Sequence, residues 1–203
     1  MERVIAYVDG FNLYFGLKDS GLQKYYWLNI QTLAQNLLKP NQELEFVKYF
    51  TAMVSNPPDK VKRQRTFIEA LETLPNFAIY YGKYQLNPRY CKNCGFTDYV
   101  PNEKMTDVNI AVELLADAFQ GKFDTAVLIS ADSDLTGPVR ALRNLFPAKK
   151  VIVAFPPKRF STELQKVSNG YFTIGKTKFA HSLFPEEVVK ADGYVLKCPE
   201  SWK

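Results

Sequence analysis

Three short stretches of this sequence place aspartates where their carboxylates could hold a divalent cation. Residues Thr125 to Leu135 read T-A-V-L-I-S-A-D-S-D-L. Ala126 to Ile129 is a short apolar, β-branched run of the kind that makes a buried strand. Ser130, Asp132 and Asp134 follow it at once. Val4 to Val8 is a second such run and leads into Asp9-Gly10-Phe11-Asn12, where Gly10 allows a tight turn. The third cluster is Lys104-Met105-Thr106-Asp107-Val108, at the start of a long amphipathic stretch. Carboxylates gathered in one place repel one another, and a cation is the usual way to keep them ionised. An all-oxygen donor set suits Mg²⁺ or Mn²⁺. Each residue also has a purely structural reading. One of Asp132 and Asp134 can cap the next helix while the other is solvated. Asn12, taken alone, reads as a helix cap, and Asp107 sits well in the first turn of a helix that Thr106 would cap.

The elements around these clusters alternate. Phe46 to Met53, Phe77 to Tyr81 and Lys150 to Phe155 read as further strands, with a short last one at Tyr171 to Ile174. Helical spacing marks Leu13 to Leu17, Gln31 to Leu38, Lys60 to Leu74, Val108 to Phe119, the segment after Pro138, and Ser161 to Val167. Strands alternating with helices predict an α/β fold, a Rossmann-like three-layer α/β/α sandwich around a mainly parallel sheet. Crossovers in such a sheet put the carboxyl ends of its strands on one edge, where ligands bind. Asp9, Asp132 and Asp134 then share that edge, and a helix N-terminus brings in Asp107. The predicted organisation is a domain over residues 1–175 and an extension, 176–203, packing on it. Residues 82–105 form a less regular basic insertion.

The chain has 203 residues, enough for one domain with a proper core. No apolar run approaches the roughly 20 residues of a membrane span, and no signal peptide is evident, so a cytoplasmic protein without membrane contact is expected. Three cysteines are too few for a disulfide framework. Cys91-Lys-Asn-Cys94-Gly95 has the form of half a structural zinc site. Cys198 and the single histidine, His181, are the candidates to complete it; a hairpin with two free thiols, or a zinc shared between subunits, is the alternative. That one histidine excludes a histidine-pair, metal-free ribonuclease. A net charge of +5 permits a polyanionic partner.

Taken together, Asp9-Gly10-Phe11-Asn12, Lys104-Met105-Thr106-Asp107-Val108 and Ser130-Ala131-Asp132-Ser133-Asp134 resemble the NYN domain family of PIN-like nucleases, over roughly Arg3 to Phe172. The segment around Cys91 and the ending C-P-E-S-W resemble variants within that family. The resemblance implies metal-dependent cleavage of RNA. Asp9, Asp107, Asp132 and Asp134 match the family's acidic cluster, Asn12 the asparagine after the first strand, and Ser130 the hydroxyl before the paired aspartates. Related nucleases often pair, so a homodimer is expected, as is a protein inhibitor or regulator.

On this reading Asp9, Asp107 and Asp132 hold one Mg²⁺ or Mn²⁺, and Asp134 helps with a second ion or orients water. Asn12 and Ser130 support the carboxylates, and Lys104 meets a phosphate. Lys62, Arg63, Arg65, Lys83, Arg89, Lys158 and Arg159 would make a wider basic surface, with Tyr81, Tyr84 and Tyr90 as stacking faces. Other readings stay open: a non-catalytic RNA-binding or regulatory module using the same cleft, or a phosphotransferase with Asp9 as nucleophile. Haloacid-dehalogenase-type chemistry wants a second aspartate where Phe11 stands. No G-x-G-x-x-G follows the first strand, which argues against a dinucleotide site.

Overall fold

Short runs rich in valine, isoleucine and aromatic residues pair edge to edge to make the centre of the molecule. The computed structural model describes the backbone of residues 1–203 and all side chains except those of residues 84–86 and 99–103. The strands are β1 Glu2–Asp9, β2 Gln42–Thr51, β3 Phe77–Tyr81, β4 Lys83–Tyr90, β5 Thr97–Lys104, β6 Thr125–Ile129, β7 Lys150–Phe155, β8 Gly170–Thr173, β9 Glu187–Val189 and β10 Val195–Lys197. The helices are α1 Gly10–Asp19, α2 Ile30–Leu37, α3 Pro58–Leu71, α4 Thr106–Phe119, α5 Thr136–Leu145, α6 Thr162–Val167 and α7 Lys176–Ala180.

A six-stranded sheet runs in the order β3-β2-β1-β6-β7-β8, and every neighbouring pair is parallel. Both faces are covered, which is why its strands read as continuous apolar runs. Val4, Ala6 and Val8 face one way and pack with Leu13 and Leu17 of α1, Leu33 of α2, and Ile68 and Leu71 of α3. Ile5 and Tyr7 face the other way, against Ile110 and Leu114 of α4, Val139 and Leu142 of α5, and Leu164 of α6. This is the expected three-layer sandwich.

Residues 83–104 differ from the irregular stretch expected. They form an antiparallel hairpin, β4 with β5, in register from Lys83 opposite Lys104 to Tyr90 opposite Thr97. The hairpin stands outside the main sheet, and Pro88 and Pro101 within it weaken the signal by which strands are recognised. Residues 176–203 add Phe179, Phe184, Val188, Leu196 and Cys198 to the core on the α1–α3 side. The Trp27 indole donates to the Pro185 carbonyl at 2.7 Å. Among the described residues no helix is long and apolar enough to cross a membrane.

Candidate active site

Strand register sets the first two residues of the site. Val8 of β1 pairs with Ile129 of β6, so the next rung places Asp9 beside Ser130. The Ser130 hydroxyl donates to Asp9 Oδ2 at 2.9 Å. Asp9 is itself the N-cap of α1: its Oδ1 accepts the Asn12 N–H at 2.9 Å. Asn12 is therefore not the cap that its position suggested. Its side-chain oxygen instead accepts the Ala131 N–H at 3.2 Å and ties α1 to the loop after β6. Gly10 does not take up a left-handed turn. It is needed because a Cβ there would lie 2.5 Å from the Tyr49 hydroxyl and 2.8 Å from the Phe50 carbonyl. The close approach of α1 to β2 is what demands glycine.

The loop after β6 is held by its own side chains. Ser130 Oγ accepts the Asp132 N–H at 3.0 Å, and Asp132 Oδ1 accepts the Asp134 N–H at 3.0 Å. Asp132 thus caps the short turn at Ser133–Leu135 and still has a second carboxylate oxygen. Capping and site chemistry coexist in one residue.

Asp107 arrives from the opposite layer. It lies in the first turn of α4, and the residue before the helix is Met105, with φ 77°. Positive φ is costly for a side chain of this kind and persists only where its surroundings impose it. Thr106 is the first helical residue and is not the N-cap. A Cβ on Gly82 would come within 2.6 Å of the Lys104 carbonyl and of Thr106 Oγ1. Only glycine lets the β3–β4 junction lie against the start of α4, so Gly82 helps to place Asp107.

One oxygen each from Asp107, Asp132 and Asp134 lies within 4.8 Å of the others. Asp9 lies deeper, 4% exposed, with both oxygens already accepting hydrogen bonds. Burial pushes the Asp9 carboxyl up to about 6, against the opposing pull of its bonds to Asn12 and Ser130. Burial also raises Asp107 to about 6, helped by the charges of Asp132, Asp9 and Asp134. The expected grouping had Asp9, Asp107 and Asp132 hold the ion directly or through water; the oxygens that converge belong to Asp107, Asp132 and Asp134. Hard oxygens in mutual repulsion, open to solvent at Asp134, fit a divalent cation of the Mg²⁺ or Mn²⁺ type.

The NYN domain model matches residues 3–175, most of the chain. The chain belongs to the NYN domain family. Membership places it within the PIN-like nuclease superfamily, whose members generally use divalent metals. A curated relative, 6-hydroxy-3-succinoylpyridine 3-monooxygenase HspA of Pseudomonas putida (strain DSM 28022 / S16), is 25% identical, with 70% of this chain and 55% of HspA covered. The chain thus spans about half the length of that relative. The solved structure of a protein of unknown function, VPA0982 from Vibrio parahaemolyticus RIMD 2210633, matches with a TM-score of 0.57 at 20% identity. The match covers 90% of this chain and 96% of that one, and it shows the shared fold.

Several other expected site residues of this NYN domain lie elsewhere or have other partners. Arg65, Arg89 and Arg159 pair with Glu69, Asp98 and Asp19, at 3.1, 2.9 and 2.9 Å. Lys62, Lys83, Lys104 and Lys158 are exposed, as are Tyr81 and Tyr90. The Tyr84 side chain lies outside the described residues. Cys91 and Cys94 are exposed at the hairpin tip, where the Cys94 and Asn93 backbone N–H groups pull the Cys91 thiol down. Cys198 is buried in the main core and His181 is exposed at the end of α7. Among the described residues these four do not gather as metal ligands.

Helix α4 also carries a buried ionic network that local sequence does not announce. Asp117 is 1% exposed, pairs with Lys48 of β2 and accepts from the Tyr7 hydroxyl at 2.7 Å. Lys122 approaches it at 3.1 Å, and Lys48 also meets Glu113 at 2.7 Å. The available signal was a lysine inside the apolar run F-V-K-Y-F.

Proposed function

We propose that this NYN domain is a divalent-metal-dependent ribonuclease that hydrolyses RNA phosphodiester bonds at the carboxyl edge of its sheet. The convergence of Asp107, Asp132 and Asp134 oxygens within 4.8 Å carries the reading. Those three residues would hold Mg²⁺ or Mn²⁺, with Asp9 supporting them from below. The bound ion supplies Lewis-acid stabilisation of the phosphoryl oxygens and a water made acidic enough to attack at neutral pH. The chain's own residues do the positioning. Ser130 bridges Asp9 to the Asp132 backbone and so couples the two strand ends. Asn12 fixes the loop that carries Asp132. Lys104, exposed ahead of α4, offers a cation to a phosphate approaching Asp107. The net charge of +5 favours a polyanionic substrate over the whole surface. The monooxygenase name belongs to a relative of which the match covers only 55%, and that activity is not carried over.

Cleavage of a mixed set of single-stranded and structured RNAs by metal-stripped protein tests this reading. The expected result is no cutting without metal, cutting with Mn²⁺ or Mg²⁺, and none by Asp132→Asn. RNA bound equally well by both proteins but cut by neither would favour the non-catalytic binding module. Cutting that survives Asp132→Asn would overturn the site.

A further inference from the structure

A cleft of about 430 Å³ opens on the α1–α3 side of the sheet. This is within the ordinary range for small-molecule sites, roughly 300–1,000 Å³. Gly10 and Phe11, the residues that follow Asp9 at the start of α1, line it. Its walls are aromatic. Tyr14 and Tyr26 stand with ring centres 4.9 Å apart, and Tyr26 and Trp202 at 5.6 Å. One wall is fixed by Gln64, which donates to the Ala52 carbonyl at 2.9 Å and accepts the Val54 N–H at 2.8 Å.

The charge of this cleft is opposite to that of the neighbouring cluster. Lys18, Lys60 and Arg63 line it, and no carboxylate does. Among the described residues neither Lys60 nor Arg63 has an ion-pair partner, whereas Arg65, one turn along α3 from Val61, is tied to Glu69. Aromatic faces beside unpaired cations suit a planar heteroaromatic ring with an anionic tail. A nucleotide has this form, and aromatic stacking with a cationic track is how unpaired strands are held.

We propose that this cleft is a nucleotide-binding subsite for single-stranded RNA. It takes one unpaired base among Tyr14, Tyr26 and Trp202, with a phosphate of that nucleotide on Lys60 and Arg63. The strand then crosses Gly10 and Phe11 toward the acidic cluster. Base capture on one side and carboxylates on the other give the site a preference for unpaired segments, since a base inside a duplex cannot enter. The inference rests on the nuclease reading for its role in cleavage, but not for binding itself.

The test is AMP and UMP binding to the whole, metal-stripped chain in EDTA, followed by tryptophan fluorescence. Ribose 5-phosphate is the control without a base, and pyridine-3-carboxylate the control for a small heteroaromatic acid. Saturable nucleotide binding is expected, with ribose 5-phosphate far weaker. Arg63→Gln and Lys60→Gln should each weaken AMP by about tenfold, as loss of a charge-assisted contact would. In Mn²⁺ the same variants should raise KM for single-stranded RNA and leave kcat unchanged. No saturable response at millimolar AMP, or AMP binding indifferent to both substitutions, overturns the proposal. So does tight binding of pyridine-3-carboxylate without AMP, which makes the cleft a site for small heteroaromatic acids. Nucleotide binding by a chain that cuts no RNA sinks the nuclease reading alone. Cutting with an unchanged KM in both variants sinks the subsite alone.

Discussion

Helix α4 carries two aspartates in opposite circumstances. Asp117, three turns in, is enclosed by Lys48, Lys122 and the Tyr7 hydroxyl. Burial acts to raise its carboxyl, but these partners outweigh it and hold the group below its ordinary range. Asp107, in the first turn, is pushed up to about 6 by burial and then by the charges of Asp132, Asp9 and Asp134. The same side chain on one helix is thus compensated at one end and left in mutual repulsion at the other. Compensation locks layers together: the Lys48–Asp117 pair fixes β2 to α4. Burial and repulsion together perturb Asp107, the combination by which functional sites are recognised.

The largest effect that would sharpen this contrast is Asp117→Ala. It leaves Lys48 buried without its main partner, and stability in urea should fall by about 3–5 kcal/mol. A loss below about 1 kcal/mol would mean that the network behaves as a solvated surface pair.

Next comes pH. Asp9 and Asp107 titrate near 6 in the folded chain and near 3.9 when unfolded. Between those values the folded state binds more protons, so stability falls as pH rises. Metal-free protein should lose stability from pH 4 to pH 7, on the order of 3 kcal/mol. Mn²⁺ should restore it at pH 7. Asp117 has the opposite sign: its stabilisation is complete above the unfolded pKa and disappears as pH falls through the lower folded value. Melting curves across this range, with and without Mn²⁺, separate the two aspartates. A metal-free melting temperature that climbs steadily to pH 7 would break the comparison.

Ser130→Ala removes the donor to Asp9 and the acceptor for Asp132 N–H at once. The expected cost is about 1–3 kcal/mol, read in urea, together with a weaker hold on Mn²⁺. Unchanged stability with unchanged Mn²⁺ affinity would remove Ser130 from the site. The smallest effect is Asp132→Asn in metal-free protein. The amide oxygen can still accept Asp134 N–H, while one negative charge disappears. A gain of about 0.5–1 kcal/mol at pH 7 is expected, and a clear loss would contradict the repulsion.

Much of this site was legible because its residues sit at element ends. A strand running straight into Asp9-Gly10, another into Ser130-Ala131-Asp132, and Asp107 opening a helix give away their positions once the sheet is known to be parallel. The roles of individual side chains were not legible. Asp9 rather than Asn12 caps α1 because the helix begins at Gly10, a boundary the local sequence leaves open, while Gly10 answers to Tyr49 on the neighbouring strand. The Lys48–Asp117 pair joins positions far apart in the chain, and Asp117 looks like an ordinary polar break in an amphipathic helix. The aromatic cleft is assembled from α1, the segment after it, α3 and residues near Trp202, so no single stretch announces it.

The Asp107, Asp132 and Asp134 carboxylates are proposed to form a cation site. Calorimetric titration of the metal-free chain with Mn²⁺ at pH 7.5, beside Asp132→Asn, tests it most directly. Saturable binding to the wild-type chain with protons released is expected, and loss of that binding in Asp132→Asn while the variant remains folded. Equal binding by both proteins, or none by the wild type, would contradict it.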